Sequence, residues 1–130
     1  MIRTSLLILD DNASFAESLA DVLSQQGFHV RWAAQTAKAH ALAKASPPDV
    51  LIVDINLVTA SGMDVAEQFA REDLVGGVVF LTGSVDIDHR QIPEALRNRA
   101  VVLHKPVAKE MLLNAITSVA DDRELRKSAD

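Results

Sequence analysis

Four stretches of the 130-residue chain end an apolar run on a side chain that can do chemistry. "SLLIL" (5–9) leads into Asp10 and Asp11, and "VLIV" (50–53) into Asp54. "GVVFL" (77–81) leads into Thr82, and "AVVL" (100–103) into His104 and Lys105. A carboxylate closing a buried strand is costly unless something pairs with it. Three carboxylates gathered in one place repel one another, and a hard divalent cation relieves that repulsion. Mg²⁺ takes oxygen ligands, keeps several waters and uses one or two carboxylates beside a phosphoryl oxygen. Lys105 would add a point positive charge and Thr82 a hydrogen-bond donor. Such a set suits phosphoryl transfer, which needs positioning and charge neutralisation more than an acid or a base. Asp54 would then be the nucleophile, forming an aspartyl phosphate.

The residues meet only if the fold gathers the ends of these runs. A fifth run, "FHVRW" (28–32), alternates apolar and polar, whereas the first, third and fourth are apolar throughout. Continuous apolar runs suit strands covered on both faces, and the alternating one suits an edge. Segments of helical character separate the runs. Phe15, Leu19, Val22 and Leu23 mark the first helix, with Gly27 as its cap. Ala37, Ala41 and Ala45 line a second that "SPPD" (46–49) stops. Val65, Ala66, Phe69 and Ala70 mark a third. Ile92, Ala95 and Leu96 mark a fourth with Pro93 in its first turn. Met111, Leu112, Ala115, Ile116 and Val119 mark a fifth that can run on into "DDRELRK". Strand alternating with helix predicts a doubly wound α/β domain of five parallel strands and five helices. The order 2-1-3-4-5 puts the second strand at one edge and gathers the chemical residues where such sheets hold ligands, beyond the strand carboxyl ends. The domain is expected over 1–121, with 122–130 a charged tail or the start of a linker.

Composition narrows the function classes. There are no cysteines, which excludes disulfides, thiolate metal sites and a thiol nucleophile. The net charge of −5 argues against direct nucleic-acid binding by this domain. No apolar run approaches the ~18 residues of a membrane span, and the segment before Asp10 is too short for a signal peptide, so a cytoplasmic location is expected. His29, His40, His89 and His104 lack metal-ligand spacing and are expected at the surface or in ordinary packing.

The acidic pair Asp10-Asp11, Asp54 closing "LIVD", Gly62 eight residues on, "LT" at 81–82 and "KP" at 105–106 resemble, in that order, the receiver domain of two-component response regulators. The resemblance covers about residues 4–120 and implies a flavodoxin-like fold. It implies that Asp54 is the phosphorylation site and that Mg²⁺ is held by Asp11, Asp54 and the backbone carbonyl of Asn56. Asp10 would hold a metal-bound water, and Thr82 and Lys105 would contact the phosphoryl oxygens. It also implies a cis Lys105-Pro106 bond and a switch running from Thr82 to an aromatic in the fifth strand. Val102 stands at that aromatic position. The implied partners are a histidine kinase or phosphotransfer protein and a downstream effector protein or domain. The chain is expected to be a phosphoacceptor and not an enzyme, although it would assist its own phosphotransfer and dephosphorylation. A degenerate receiver acting only through contacts, or a receiver cut from a larger DNA-binding regulator or hybrid kinase, is the alternative. A flavin-phosphate loop is disfavoured because "DDNA" would repel a phosphate. A dehalogenase-type phosphatase would want Asp-x-Asp after the first strand.

Overall fold

The computed structural model describes residues 3–129, with side-chain surroundings for residues 3–120. Among these residues five strands form one parallel sheet: β1 (Ser5–Leu9), β2 (His29–Ala33), β3 (Val50–Asp54), β4 (Gly77–Thr82) and β5 (Ala100–His104). Their order is β2-β1-β3-β4-β5, as the alternation of "FHVRW" implies. Side chains alternate across a strand, so the sheet feeds two cores. Leu7, Leu9, Leu51, Val53, Val78 and Phe80 face one side, and Leu6, Ile8, Val50, Ile52, Val79 and Leu81 face the other.

Among the described residues four α-helices cover the sheet: α1 (Ala13–Gln25), α2 (Thr36–Ala45), α3 (Gly62–Arg71) and α4 (Lys109–Ala129). Helices α1 and α4 pack on the Leu6 side, α2 and α3 on the Leu7 side. Asn12 is the N-cap of α1: its side chain accepts from the Phe15 N–H at 3.1 Å. Gly27 follows the helix at φ 99°, a conformation open to glycine, and its N–H closes onto Ser24 at 3.1 Å. Helix α4 continues as far as Ala129, through the stretch expected as a tail; the tail's side chains and Asp130 lie outside the described residues.

Three helical faces differ from expectation. In α1 the buried line is Ala16, Ala20 and Leu23, while Phe15 and Val22 are exposed. In α2 it is Ala39 and Ala43; Ala37, Ala41 and Ala45 face outward. An alternating alanine run carries no apolar stripe to choose between them. In α4 Met111 is exposed and Leu112, Ala115, Ile116 and Val119 are buried.

The fourth expected helix, marked by Ile92, Ala95 and Leu96, does not form, so the fifth expected helix is α4. Two short 3₁₀ turns, His89–Gln91 and Glu94–Leu96, stand in place of the fourth. Proline disfavours the helical conformation in the residue before it, and Ile92 is extended at ψ 128°. The first turn is fixed by a capping box between Asp88 and Gln91. The hydrogen-bonded Arg90 guanidinium holds the Asp88 carboxyl down to about 2. Ile92 and Leu96 still reach the core.

Arg31 on edge strand β2 does more than solvate that edge. Its guanidinium donates to the carbonyls of Leu42 at 2.8 Å and Ser46 at 2.6 Å, satisfying the end of α2. Arg31→Ala is expected to cost about 1–2 kcal/mol in a urea melt, the worth of charged hydrogen bonds at a half-buried site. A change below about 0.5 kcal/mol would mean that water replaces the guanidinium without loss.

Candidate functional site

The strand register carries the strand-end residues to one end of the sheet, whereas Val102 lies mid-strand in β5 opposite Phe80. Asp54 pairs with Leu81, and Thr82 with His104. The ladder then continues one step past the strands, with the Asp10 N–H donating to Ala33, Ile55 to Leu81 and Lys105 to Thr82. Asp10, Asp54, Thr82 and Lys105 therefore share one rim.

Lys105 is the centre of the site. Its Nζ lies 3.0 Å from Asp54 Oδ2 and 3.4 Å from Asp10 Oδ2. Burial works against the charge on Lys105, but the hydrogen bond to Asp54 and the attraction of Asp10 outweigh it and hold the ammonium above the ordinary lysine range. Lys105 is thus a full cation at neutral pH. The exposed ring of Phe15 lies 4.6 Å from the same Nζ, which adds a cation–π contact. Phe15, Leu112 and Pro106 line an apolar hollow around the lysine stem. The Lys105-Pro106 bond is cis, as the resemblance implies.

Among the described residues, the buried polar side chains are Asp10 and Thr82. Asp10 Oδ1 accepts from the Asn12 N–H at 2.9 Å, so this carboxylate orders the entry to α1 without capping it. Asp11 is exposed, and its carboxylate accepts from the Val58 N–H across the β3–α3 loop. Asp54 Oδ1 accepts from the Asn56 N–H at 2.8 Å. Thr82 Oγ1 donates to Asn56 Oδ1 at 3.1 Å and accepts from the Ser84 N–H at 3.0 Å. Gly62 opens α3 where there is no room for a side chain: a Cβ there would lie 2.2 Å from the Asp54 carbonyl oxygen. At Gly83 a Cβ would meet nothing within 4 Å, so that side of the site is open. Val102 is buried in β5, and its N–H reaches His89 Nε2 at 3.4 Å.

The donor set fits Mg²⁺. Two carboxylates share a single ammonium and a third stands nearby, so the site keeps an excess of hard anionic oxygen. Among the described residues no three acidic or histidine side chains form a ready metal cage. Mg²⁺ does not need one, since it is held by one or two carboxylates and keeps its waters.

Two contributors escape sequence reasoning. One is Phe15, which reads as a core residue by its spacing. The other is the side chain of Asn56, for which the resemblance implies only a carbonyl. A polar amide two residues beyond the strand-end carboxylate is the signal that could have found it.

Residues 6–117 match the family described as the response regulator receiver domain. A stretch of 110 residues is 34% identical to a response regulator receiver protein of Anaeromyxobacter sp., covering 83% of this chain and 45% of that one. Another of 79 residues is 37% identical to the photosynthetic apparatus regulatory protein RegA of Rhodovulum sulfidophilum, covering 61% of this chain and 43% of that protein. The chain thus spans less than half the length of these relatives. The solved CheY-like receiver domain protein of Methanospirillum hungatei superimposes with a TM-score of 0.83 at 22% identity, over 96% of this chain and 99% of that one. At that identity the likeness is one of fold.

Proposed function

The chain belongs to the response regulator receiver domain family, the phosphoaccepting module of two-component signal transduction, and from that premise we propose that Asp54 is the residue that accepts the phosphoryl group. The observation that carries this is the 3.0 Å contact between Asp54 and Lys105 at the open end of the central strands. Asp10 is buried and engaged with Asn12, and Asp11 is turned toward Val58, which leaves Asp54 as the carboxylate between the cation and the mouth.

Receiver domains generally bind Mg²⁺ at their acidic site. Here Asp11, Asp54 and the Asn56 carbonyl would hold it, with Asp10 acting through a water. Bound there, the ion supplies charge neutralisation for the transferring phosphoryl oxygens. The chain's own residues do the rest. Asp54 presents its carboxylate oxygen to the phosphorus, Lys105 holds one phosphoryl oxygen by charge, and Thr82 donates to another. The donor is a histidine kinase or phosphotransfer protein. The domain turns over no substrate of its own. It signals by contact with an effector protein or a further domain and touches neither nucleic acid nor membrane directly. No helix among the described residues is long and apolar enough to cross a membrane, which agrees with action in the cytoplasm.

Incubation with acetyl phosphate and Mg²⁺ should add the mass of one phosphoryl group to the intact protein. Chelating the metal, or Asp11→Ala, should cut the yield by more than about tenfold, as loss of a metal's supporting shell does. A wild-type protein that gains no mass under these conditions overturns the reading.

A further inference from the structure

We infer that the side chain of Asn56 is a positioning residue that restrains Thr82 until Asp54 carries a phosphoryl group; this rests on the phosphoacceptor reading above. A threonine hydroxyl has one proton to donate and two lone pairs. Thr82 is fully buried. Its Oγ1 accepts from the Ser84 N–H at 3.0 Å, and its single proton goes to Asn56 Oδ1 at 3.1 Å. The proton that would reach a phosphoryl oxygen is therefore already engaged.

Asn56 is itself anchored. Its N–H donates to Asp54 Oδ1 at 2.8 Å, and its backbone bridges to Ser61 across the loop. One residue thus bonds both the acceptor carboxylate and the hydroxyl. The Thr82–Asn56 bond and a Thr82–phosphoryl bond exclude each other, because there is only one proton. The two arrangements form an equilibrium that a group on Asp54 shifts, since a bond to a charged oxygen is stronger than one to a neutral amide. Deleting the amide removes the competitor and leaves the backbone carbonyl in place.

The test is the affinity of the protein for beryllofluoride with Mg²⁺, an aspartyl-phosphate mimic. Asn56→Ala should bind it about three- to tenfold more tightly than wild type, the range one neutral hydrogen bond spans. In a Thr82→Val background the same change should have no effect, whereas a merely structural role would act in both backgrounds. A second readout leaves Thr82 unchanged. Its χ1 couplings, measured without ligand, should report one rotamer in wild type and averaging in Asn56→Ala. Equal or weaker binding by Asn56→Ala, an equal gain in the Thr82→Val background, or a fixed Thr82 rotamer in both proteins overturns the inference. A wild-type protein that binds no beryllofluoride overturns the phosphoacceptor reading instead.

Discussion

Asp54→Asn should accept no phosphoryl group from a phosphohistidine donor while remaining folded. The amide keeps the shape of the carboxylate, and its oxygen can still accept the Asn56 N–H that Asp54 Oδ1 takes at 2.8 Å. It lacks the anionic oxygen that attacks phosphorus. Lys105 loses its 3.0 Å partner but keeps Asp10 at 3.4 Å, so its ammonium still faces a carboxylate. The expected outcome is complete loss of label with a melting temperature near that of wild type. Labelling at the wild-type level would move the nucleophile to Asp10 or Asp11. Loss of label together with loss of fold would show instead that the Asp54–Lys105 pair holds the sheet edge together.

Gly62→Ala should be the most destabilising single methyl among these variants. The new Cβ would lie 2.2 Å from the Asp54 carbonyl oxygen and 2.8 Å from the Ile55 Cα, and both are backbone atoms. Neither can rotate away, because Ile55 donates to Leu81 at 2.9 Å and accepts from Gly62 at 2.8 Å. Helix α3 must back off the end of β3 or the strand end must bend. Overpacking of this kind costs about 1–3 kcal/mol, and a backbone clash belongs at the upper end. A urea melt should show a loss of about 3 kcal/mol, and phosphorylation should slow because the shift passes directly into Asp54. Stability within about 0.5 kcal/mol of wild type would show that the loop absorbs the methyl.

The strands were legible because their signal is local. "SLLIL" coincides with β1, and the other apolar runs lie within a residue of their strands. The alternation of "FHVRW" placed β2 at the edge, and the strand ends then fixed the rim. What escaped depends on partners distant in sequence. The exposed Phe15 is explained only by Lys105, ninety residues away. The alanines of α2 look alike until β1 and β2 choose a face. The missing helix is a local matter that the apolar pattern outweighed: Pro93 and the Asp88 cap prevail over a three-residue stripe, while Ile92 and Leu96 remain buried without helical spacing. The Asn56–Thr82 contact joins two strand ends 26 residues apart, and no spacing rule carries that information.

The strand order also bears on how the chain is assembled as it is synthesised. Strand β2 joins one side of β1, β3 the other, and β4 and β5 then add outward in turn. Each new strand meets a free edge, so none has to be threaded into a ladder that has already closed. The exposure created on the way is transient. Between the arrival of β4 and that of β5, the open edge is "GVVFLT", a strand buried along its whole length in the finished protein. An apolar edge of this kind invites pairing with another chain. Release of a nascent chain short of β5 would leave that edge open, so the last strand and the helix behind it convert an aggregation-prone intermediate into a domain whose remaining edges are the half-polar β2 and a β5 flanked by His89.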